Sequence, residues 1–517
     1  MGEQYPARAK RQVPRREVLS GKERAVTRVG LAWTRPTYAG LSPPWGPGHP
    51  HPELGALAEP GPASSQVYAA VRSALRALGL DAQRFGTPAW NPLSELVHRG
   101  GRVVLKPNFI RHWNPSAAGT VDSLVTHGAV LRAVADYAWL AVGAEGAVVV
   151  AEAPQHDCDF GAIRNIAGLD ALVEFYAERL GAELAVVDLR REYVIYRDGV
   201  IVERRPLPGD PRGYRRIDLG TRSAFEGSGL DPERFRGADY DAVPTTKHHT
   251  GGRHEYLLSE TVLGADLVVN LPKLKTHKKT GVTLALKNLV GISGDKNLLP
   301  HHCIGSEAQG GDEYPGRSLL DAARSRATEV ARALLKRGLG TGLVRTARRA
   351  ERATRGDDFV RSGNWHRNRT TWRMCVDLNR CFYYSDAKGE RWDAPAPVRR
   401  TLTVLDGVVA GEGNGPLAPD DRPLGAVLAA TDPIALDLAA LRLMGFDARR
   451  IPKVWEALRA ETLRITAVRT PGDVVVSEAA NPETTPRDVP LDALATPQPF
   501  RPHPGWRGHV EQISCAA

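Results

Sequence analysis

No two of the five cysteines are spaced C-x-x-C, and the closest pair, Cys375 and Cys381, lies six residues apart. That spacing argues against a zinc ribbon or an iron–sulfur cluster ligated by this chain, and the odd count against a disulfide framework. Long apolar runs are also missing. They break off after about five to eight residues, where a membrane span needs about 18. The first residues, MGEQYPARAKRQVPRREVLSGKER, are polar and basic without an apolar stretch, so no secretory leader is expected and a cytoplasmic location is. Three motifs are absent as well. G-x-x-x-x-G-K-[ST] occurs nowhere, no G-x-G-x-x-G follows a strand, and there is no G-x-S-x-G, which leaves no ATP or NAD motif and no nucleophile elbow.

Positive charge is present but unevenly placed. The net charge is +10, yet residues 1–28 carry eight Lys/Arg against three Glu, and residues 324–355 carry ten against two. The rest of the chain is slightly acidic, so the basicity belongs to a tail and one helical segment. Neither the length nor the pattern favours nucleic acid as a partner, because 324–355 has no aromatic residue interleaved with its cations. An acidic protein partner is the alternative reading for these two segments.

Lysine is scarce and clustered. Of thirteen lysines seven (Lys247, Lys273, Lys275, Lys278, Lys279, Lys287, Lys296) fall within residues 247–296, where Arg253 is the only arginine. Elsewhere the composition pushes cations to arginine, so this span requires ammonium groups. An ammonium is a compact charge that pairs with phosphate or carboxylate and shifts its pKa readily on burial.

Short β-branched runs alternate with helical periodicity. Strands are expected at Val26–Trp33, Arg102–Pro107, Ala147–Ala151, Glu183–Leu189, Ala265–Asn270, Leu402–Val409 and Leu424–Ala430. Helices are expected at 65–79, 126–141, 168–181, 319–336, 341–354, 371–384 and 432–444. Val103-Val104-Leu105, Val148-Val149-Val150 and Leu267-Val268-Val269 are apolar throughout, the pattern of strands covered on both faces. The expected fold is therefore α/β: a mixed, largely parallel sheet with flanking helices, an added β-hairpin across Tyr193–Arg204, and an inserted basic helical segment at about 319–384. Residues 1–28 form a basic flexible tail, 29–483 the α/β core, and 484–517 a Pro-rich, loosely ordered C-terminal tail. Residues 34–64, with eight prolines, read as a long surface loop.

Polar clusters follow several of the strands, where open α/β sheets place their ligands. They are Lys106-Pro107-Asn108, Glu152-Ala153-Pro154, Lys273 to His277, Gly411 to Pro416 with Glu412 and Asn414, and Thr431-Asp432-Pro433. Asp432 also reads as a plain N-cap followed by proline, and Thr126-His127 as a helix opening. The run Thr280-Gly281-Val282-Thr283 leads into a helix carrying Lys287-Asn288, and a helix N-terminus behind lysines favours an anion.

These residues carry a resemblance. Lys106-Pro107-Asn108, Thr126-His127, Pro272 to His277, Thr280 to Thr283, Lys287-Asn288, Gly411 to Pro416 and Asp432-Pro433 resemble the domain of unknown function 362 family from about residue 100 to 450. Pro300-His301-His302, Gly310 to Tyr314, Gly363-Asn364-Trp365 and Asp377-Leu378-Asn379 are similar to its longer, ferredoxin-free members. The resemblance implies one shared site but no agreed activity, and the iron–sulfur label of some members does not carry over to these cysteines.

The resulting expectation is an enzyme acting on an anionic, phosphorylated or carboxylated small molecule, of lyase, transferase or racemase type. His277 is the expected general acid/base, with Lys275 and Glu412 as further catalytic groups. Lys106, Asn108, His127, Lys273, Thr280, Lys287, Asn288 and Asn414 would bind substrate. Asp406, Glu412 and Asp432 would hold Mg²⁺ or Mn²⁺, for which oxygen donors suit better than for zinc. The alternatives are a redox protein using a partner's cofactor, and a non-catalytic module that docks an acidic partner.

Overall fold

The computed structural model describes residues 26–58, 66–197, 200–316, 319–342, 344–346, 362–481 and 484–512. One eleven-stranded sheet organises them. In chain order its strands are β1 (Thr27–Trp33), β2 (Arg102–Pro107), β3 (Ala147–Glu152), β4 (Leu184–Asp188), β5 (Leu267–Leu271), β6 (Lys273–His277), β7 (Gly281–Val282), β8 (Thr401–Asn414), β9 (Ala418–Ala430), β10 (Val474–Ala479) and β11 (Arg487–Pro490). The spatial order is β11-β10-β1-β9-β8-β5-β2-β3-β4, with β6 continuing beside the end of β8 and pairing with β7. Strands β8, β5, β2, β3 and β4 are mutually parallel, while β9 runs antiparallel to both β8 and β1. This is the mixed, largely parallel α/β architecture that the apolar runs imply.

The helices that cover it are α1 (Gln66–Leu78), α2 (Gly128–Val142), α3 (Leu169–Leu180), α4 (Leu284–Asn288), α5 (Leu319–Lys336), α6 (Thr371–Tyr383), α7 (Pro433–Met444) and α8 (Pro452–Arg459). Side chains alternate across each strand, and the core divides accordingly. Val103 and Leu105 pack with α1, α2 and α3, whereas Val104 packs with α4, α6, α7 and α8. Burial on both faces is what a continuously apolar strand requires. The added hairpin is present as Glu192–Arg197 paired antiparallel with Val200–Pro206; its turn residues 198 and 199 lie outside the described residues.

Three expectations need correction. The segment Gly411–Pro416 is not a free loop. Strand β8 runs on to Asn414, and β8 and β9 form one long hairpin closed by residues 415–417. Glycine serves close approach there: a Cβ on Gly415 would sit 2.0 Å from the carbonyl oxygen of Thr276.

The Pro-rich end is not loose over 484–512. Arg487–Pro490 adds an edge strand, and Phe500, Trp506 and Val510 are buried, three apolar anchors that outweigh the missing periodicity. The loop at 34–58 is likewise pinned by buried Tyr38 and Trp45.

In the basic insertion α5 is helical as expected, and Arg326 and Lys336 are exposed. Its expected apolar stripe differs, because Val330 is 61% exposed while Leu335 packs with Val200 and Val344. Residues 1–25 of the basic tail and 347–355 of the insertion lie outside the described residues.

Candidate functional site

The parallel strands end at one edge of the sheet, and the segments leaving β2, β3, β6 and the β8–β9 hairpin wall a cleft of about 340 Å³. Asn108 comes from the end of β2, Glu152 to His156 from β3, His277, Lys278 and Lys279 from β6, and Pro416 and Leu417 from the hairpin tip. Helix α4 adds Lys287 and Asn288, and the following segment adds Lys296, His301 and His302. Four lysines and Arg332 line this space with Glu152 as the one acidic side chain among the described lining residues.

A buried amide ladder fixes the floor. Asn108 donates to Asn288 across 2.8 Å, Asn288 donates to Asn270 across 2.7 Å, and Lys275 donates to Asn108 across 2.9 Å. Every member is satisfied, so the ladder is rigid. Lys275 also donates to the carbonyl of Leu124. Burial, with Lys273 and Lys287 nearby, holds its pKa well below the usual lysine value.

Lys106 is fully buried and paired with Glu152. Burial lowers the lysine and raises the glutamate, so both are drawn towards their neutral forms. Gly291 makes the pair fit: a Cβ there would stand 1.9 Å from Glu152 Oε1 and 2.7 Å from Lys106 Cε.

The histidines are set by their partners. The backbone N–H groups of Lys279 and Thr280 both donate to Nδ1 of His277, at 3.0 and 3.2 Å. An acceptor at Nδ1 leaves the hydrogen on Nε2, and burial plus Lys287, Lys278 and Lys279 hold the pKa well below the usual value. His277 is thus a neutral N–H donor. His301 is its complement: Nδ1 lies 2.7 Å from the carbonyl of Leu299, which can only accept, so Nε2 keeps its lone pair. Burial and then Lys279 and Lys287 push His301 down to about 3. His302 is 3% exposed, and neither ring nitrogen has a hydrogen-bond partner among the described residues. Thr283 Oγ1, also in the lining, is buried without a partner among the described residues too.

Two lysines titrate near neutrality. Burial, opposed in part by carboxylates, brings Lys279 and Lys296 down to about 7. Lys279 donates to the carbonyl of Ser362, and Lys296 to that of Val290 at 3.0 Å. Lys287 has no hydrogen bond or ion pair among the described residues, and burial lowers its pKa.

Of the residues expected from the sequence, Asn108, His277, Lys287 and Asn288 line the cleft. Lys106, Lys275 and Thr280 stand directly behind it. Lys273 does not share an anion with Lys275. It pairs with Asp406 at 2.9 Å, both fully buried, and Tyr38 hydrogen-bonds the same aspartate. His127 stacks on Tyr38 at 3.8 Å, accepts from Ala129 as a helix cap, and is held at about 4 by burial.

The three carboxylates expected to bind metal are not brought together. Asp406 belongs to Lys273, Glu412 is engaged by Arg501 at 3.0 and 3.4 Å, and Asp432 caps α7 and accepts from Thr466. Among the described residues no three His, Cys, Asp or Glu side chains are grouped to hold a metal ion. Asn414 ends β8 opposite Ala418, outside the lining. The start of α4 is not a free anion site either, because Asp437 accepts from the N–H of Ala285 at 2.7 Å.

Residues that sequence reasoning missed are Lys296, His301, His302 and Arg332. His301-His302 stood out in the resemblance without a role at the site, and Arg332 sits in a segment whose Arg326, Lys336 and Arg337 are exposed.

Residues 201–442 match the model of a domain of unknown function, DUF362. The match covers just under half of the chain. Asn108 and Glu152 lie before the matched range, so the cleft combines that range with the strands preceding it. The thylakoid-associated protein sll1697 of Synechocystis is 24% identical over 269 residues, covering 52% of this chain and 55% of that protein. The alignment thus spans about half of the length of that relative. No solved structure matches, and no helix among the described residues is long and apolar enough to cross a membrane.

Proposed function

We propose that the cleft binds a small anionic molecule, phosphorylated or carboxylated, and that the protein is an enzyme acting on it. The observation that carries this reading is the uncompensated charge: among the described residues four lysines and an arginine face one glutamate, beside a buried imidazole whose two nitrogens have no partner there. Burying cations without counter-charge is costly, and a bound anion removes that cost. The volume suits a metabolite-sized ligand.

The two histidines divide the chemistry. His277 offers Nε2–H to an oxygen that gains charge, as an oxyanion donor does. His301 offers the Nε2 lone pair, and the charge of a bound anion would raise its basicity towards that of a general base. Proton transfer on the bound molecule is the step this pair supports. The carboxylates of Asp406, Glu412 and Asp432 are engaged elsewhere, so the reading places no metal on them.

Isothermal titration calorimetry with inorganic phosphate, pyrophosphate and citrate tests the binding. Wild-type protein should bind at least one of them, and K287A should weaken that binding tenfold or more, about 1.4 kcal/mol. Failure of all three anions to bind, or an unchanged affinity in K287A, would overturn the reading.

A further inference from the structure

Four of the five cations that line the cleft fall at two ends. Lys287 and Lys296 gather against the Lys106–Glu152 wall, where Lys296 is tied to the Val290 carbonyl and Gly291 backs the pair. Lys279 is anchored at the opposite wall, to the carbonyls of Ser362 and, at 3.4 Å, His301. Helix α5 completes this second end.

Its position is fixed by a short chain of contacts. His302 pairs in register with Arg236 on a two-residue ladder. Arg236 holds Glu329 of α5 at 2.7 Å, and Glu329 holds Arg332 at 2.7 Å. Arg332 is therefore delivered beside His302, and its side chain is only 16% exposed on a helix that is otherwise largely solvent-facing. The depressed imidazole of His302 reflects the same neighbourhood, since after burial Lys279 and Arg332 act on it most. For Lys296, after burial, the acting neighbours are instead Glu152, Lys106 and Lys287.

We infer that the ligand carries two separated anionic groups, one held by Lys287 and Lys296 and the other by Lys279, His302 and Arg332, with Arg332 as the residue that selects for the second group. The inference rests on the anion-binding reading above and adds to it the class of ligand. A guanidinium presents a planar fork of donors that matches carboxylate or phosphate oxygens in pairs. The unpartnered N–H of His302 then finds an acceptor, and His277 and His301 lie between the two ends, beside the middle of the molecule. On this account α5 is neither a spacer nor a solvated basic face: it brings one specificity residue to a cleft built by the sheet.

Two probes that differ only in the second charge decide the matter: propyl phosphate and propane-1,3-diyl bisphosphate, titrated calorimetrically into wild type, R332A, R332K and E329Q. Wild type should bind the bisphosphate at least tenfold more tightly than the monophosphate. R332A should bring the bisphosphate down to the level of the monophosphate while changing propyl phosphate no more than about threefold. R332K should recover part of the difference, and E329Q, acting through the placement of Arg332, should lose part of it. Thermal melts within a few degrees of wild type would show that each variant is folded, which the exposure of α5 favours. Equal affinity of wild type for both probes, or an equal loss on both probes in folded R332A, would overturn the inference and leave the anion site standing. Binding of neither probe would overturn both readings.

Discussion

The backbone N–H of Thr280 donates to Nδ1 of His277 across 3.2 Å, and that nitrogen is already accepting from Lys279. Protonating Nδ1 would break two hydrogen bonds and add a cation beside three lysines. The imidazole should therefore remain the neutral Nε2–H tautomer from pH 8 down to pH 5. Nitrogen-15 chemical shifts of the histidines report this directly. A His277 signal that titrates near 6.5 would show that the ring is free to act as an ordinary acid/base group.

Lys273 and Asp406 brace the junction of β6 with β8, and both are fully shielded from water. Removing one partner strands a buried charge, so D406A should lose about 3–5 kcal/mol of stability. The paired change K273M/D406L removes both charges and should recover much of that loss. Chemical denaturation of the two variants makes the comparison. A D406A variant as stable as wild type would mean that water reaches the pair.

Gly291 offers a sharper test of the cleft wall. A methyl group there collides with Glu152 Oε1 and Lys106 Cε, neither of which can retreat from a packed strand end. G291A should destabilise the fold and weaken binding of inorganic phosphate, whereas alanine at Gly316, where nothing lies within 4 Å, should leave anion binding unchanged. The positive φ of Gly316 costs that variant backbone strain of roughly 1–2 kcal/mol, away from the cleft lining. Calorimetry on both variants distinguishes the two outcomes.

Much of this architecture is legible before folding because its signals are local. Val103-Val104-Leu105 announces a strand buried on both faces, and α1, α2, α5, α6 and α7 follow from periodicity to within about two residues. The site is legible only where a motif leaves a strand end, as with Asn108 and His277, or sits on the short helix that follows one, as with Lys287. Its other half depends on contacts far apart in sequence. Nothing around Arg332 distinguishes it from Arg324 until Glu329 meets Arg236, 93 positions away. Lys273 misled for a related reason. Period-two spacing puts it on the face of Lys275, but a register shift between them sends it to Asp406 instead. Glu412 and Asp432 were drawn to metal by residue type, and their partners Arg501 and Thr466 are invisible at the level of motifs.

Trp506 shows how the C-terminal segment supports the cleft. It is 1% exposed, and its indole N–H donates to the carbonyl of Lys278 across 2.9 Å. W506A should cost about 3–5 kcal/mol, as large-to-small changes of buried aromatics do. Because Lys278 sits in the cleft lining, the same variant should also weaken phosphate binding. A stability loss without any change in binding would separate this segment from the site.

The charge of the cleft gives a pH dependence whose sign can be worked out. Lys279 and Lys296 titrate at about 7 in the folded protein, against a reference value of 10.5. Between those values the unfolded chain binds more protons than the folded one, so their contribution to stability rises with pH. Buried thiols oppose this at higher pH, since burial pushes Cys303 up to about 11 and Cys158 up to about 12. The clean window is therefore pH 7 to about 8.5, below the ordinary thiol range. Across it the ligand-free protein should become more stable, and K279M/K296M should remove the share of that gain that these two lysines contribute, while Lys106, Lys275 and Lys287, also held below the usual lysine value, keep the rest. An anion reverses the preference by favouring both ammonium forms. Binding of propane-1,3-diyl bisphosphate should then take up protons, with a heat that depends on the ionisation enthalpy of the buffer, and should weaken from pH 7 to 8.5. Binding that strengthens over this range, or that releases protons, would show that these two lysines do not face the ligand.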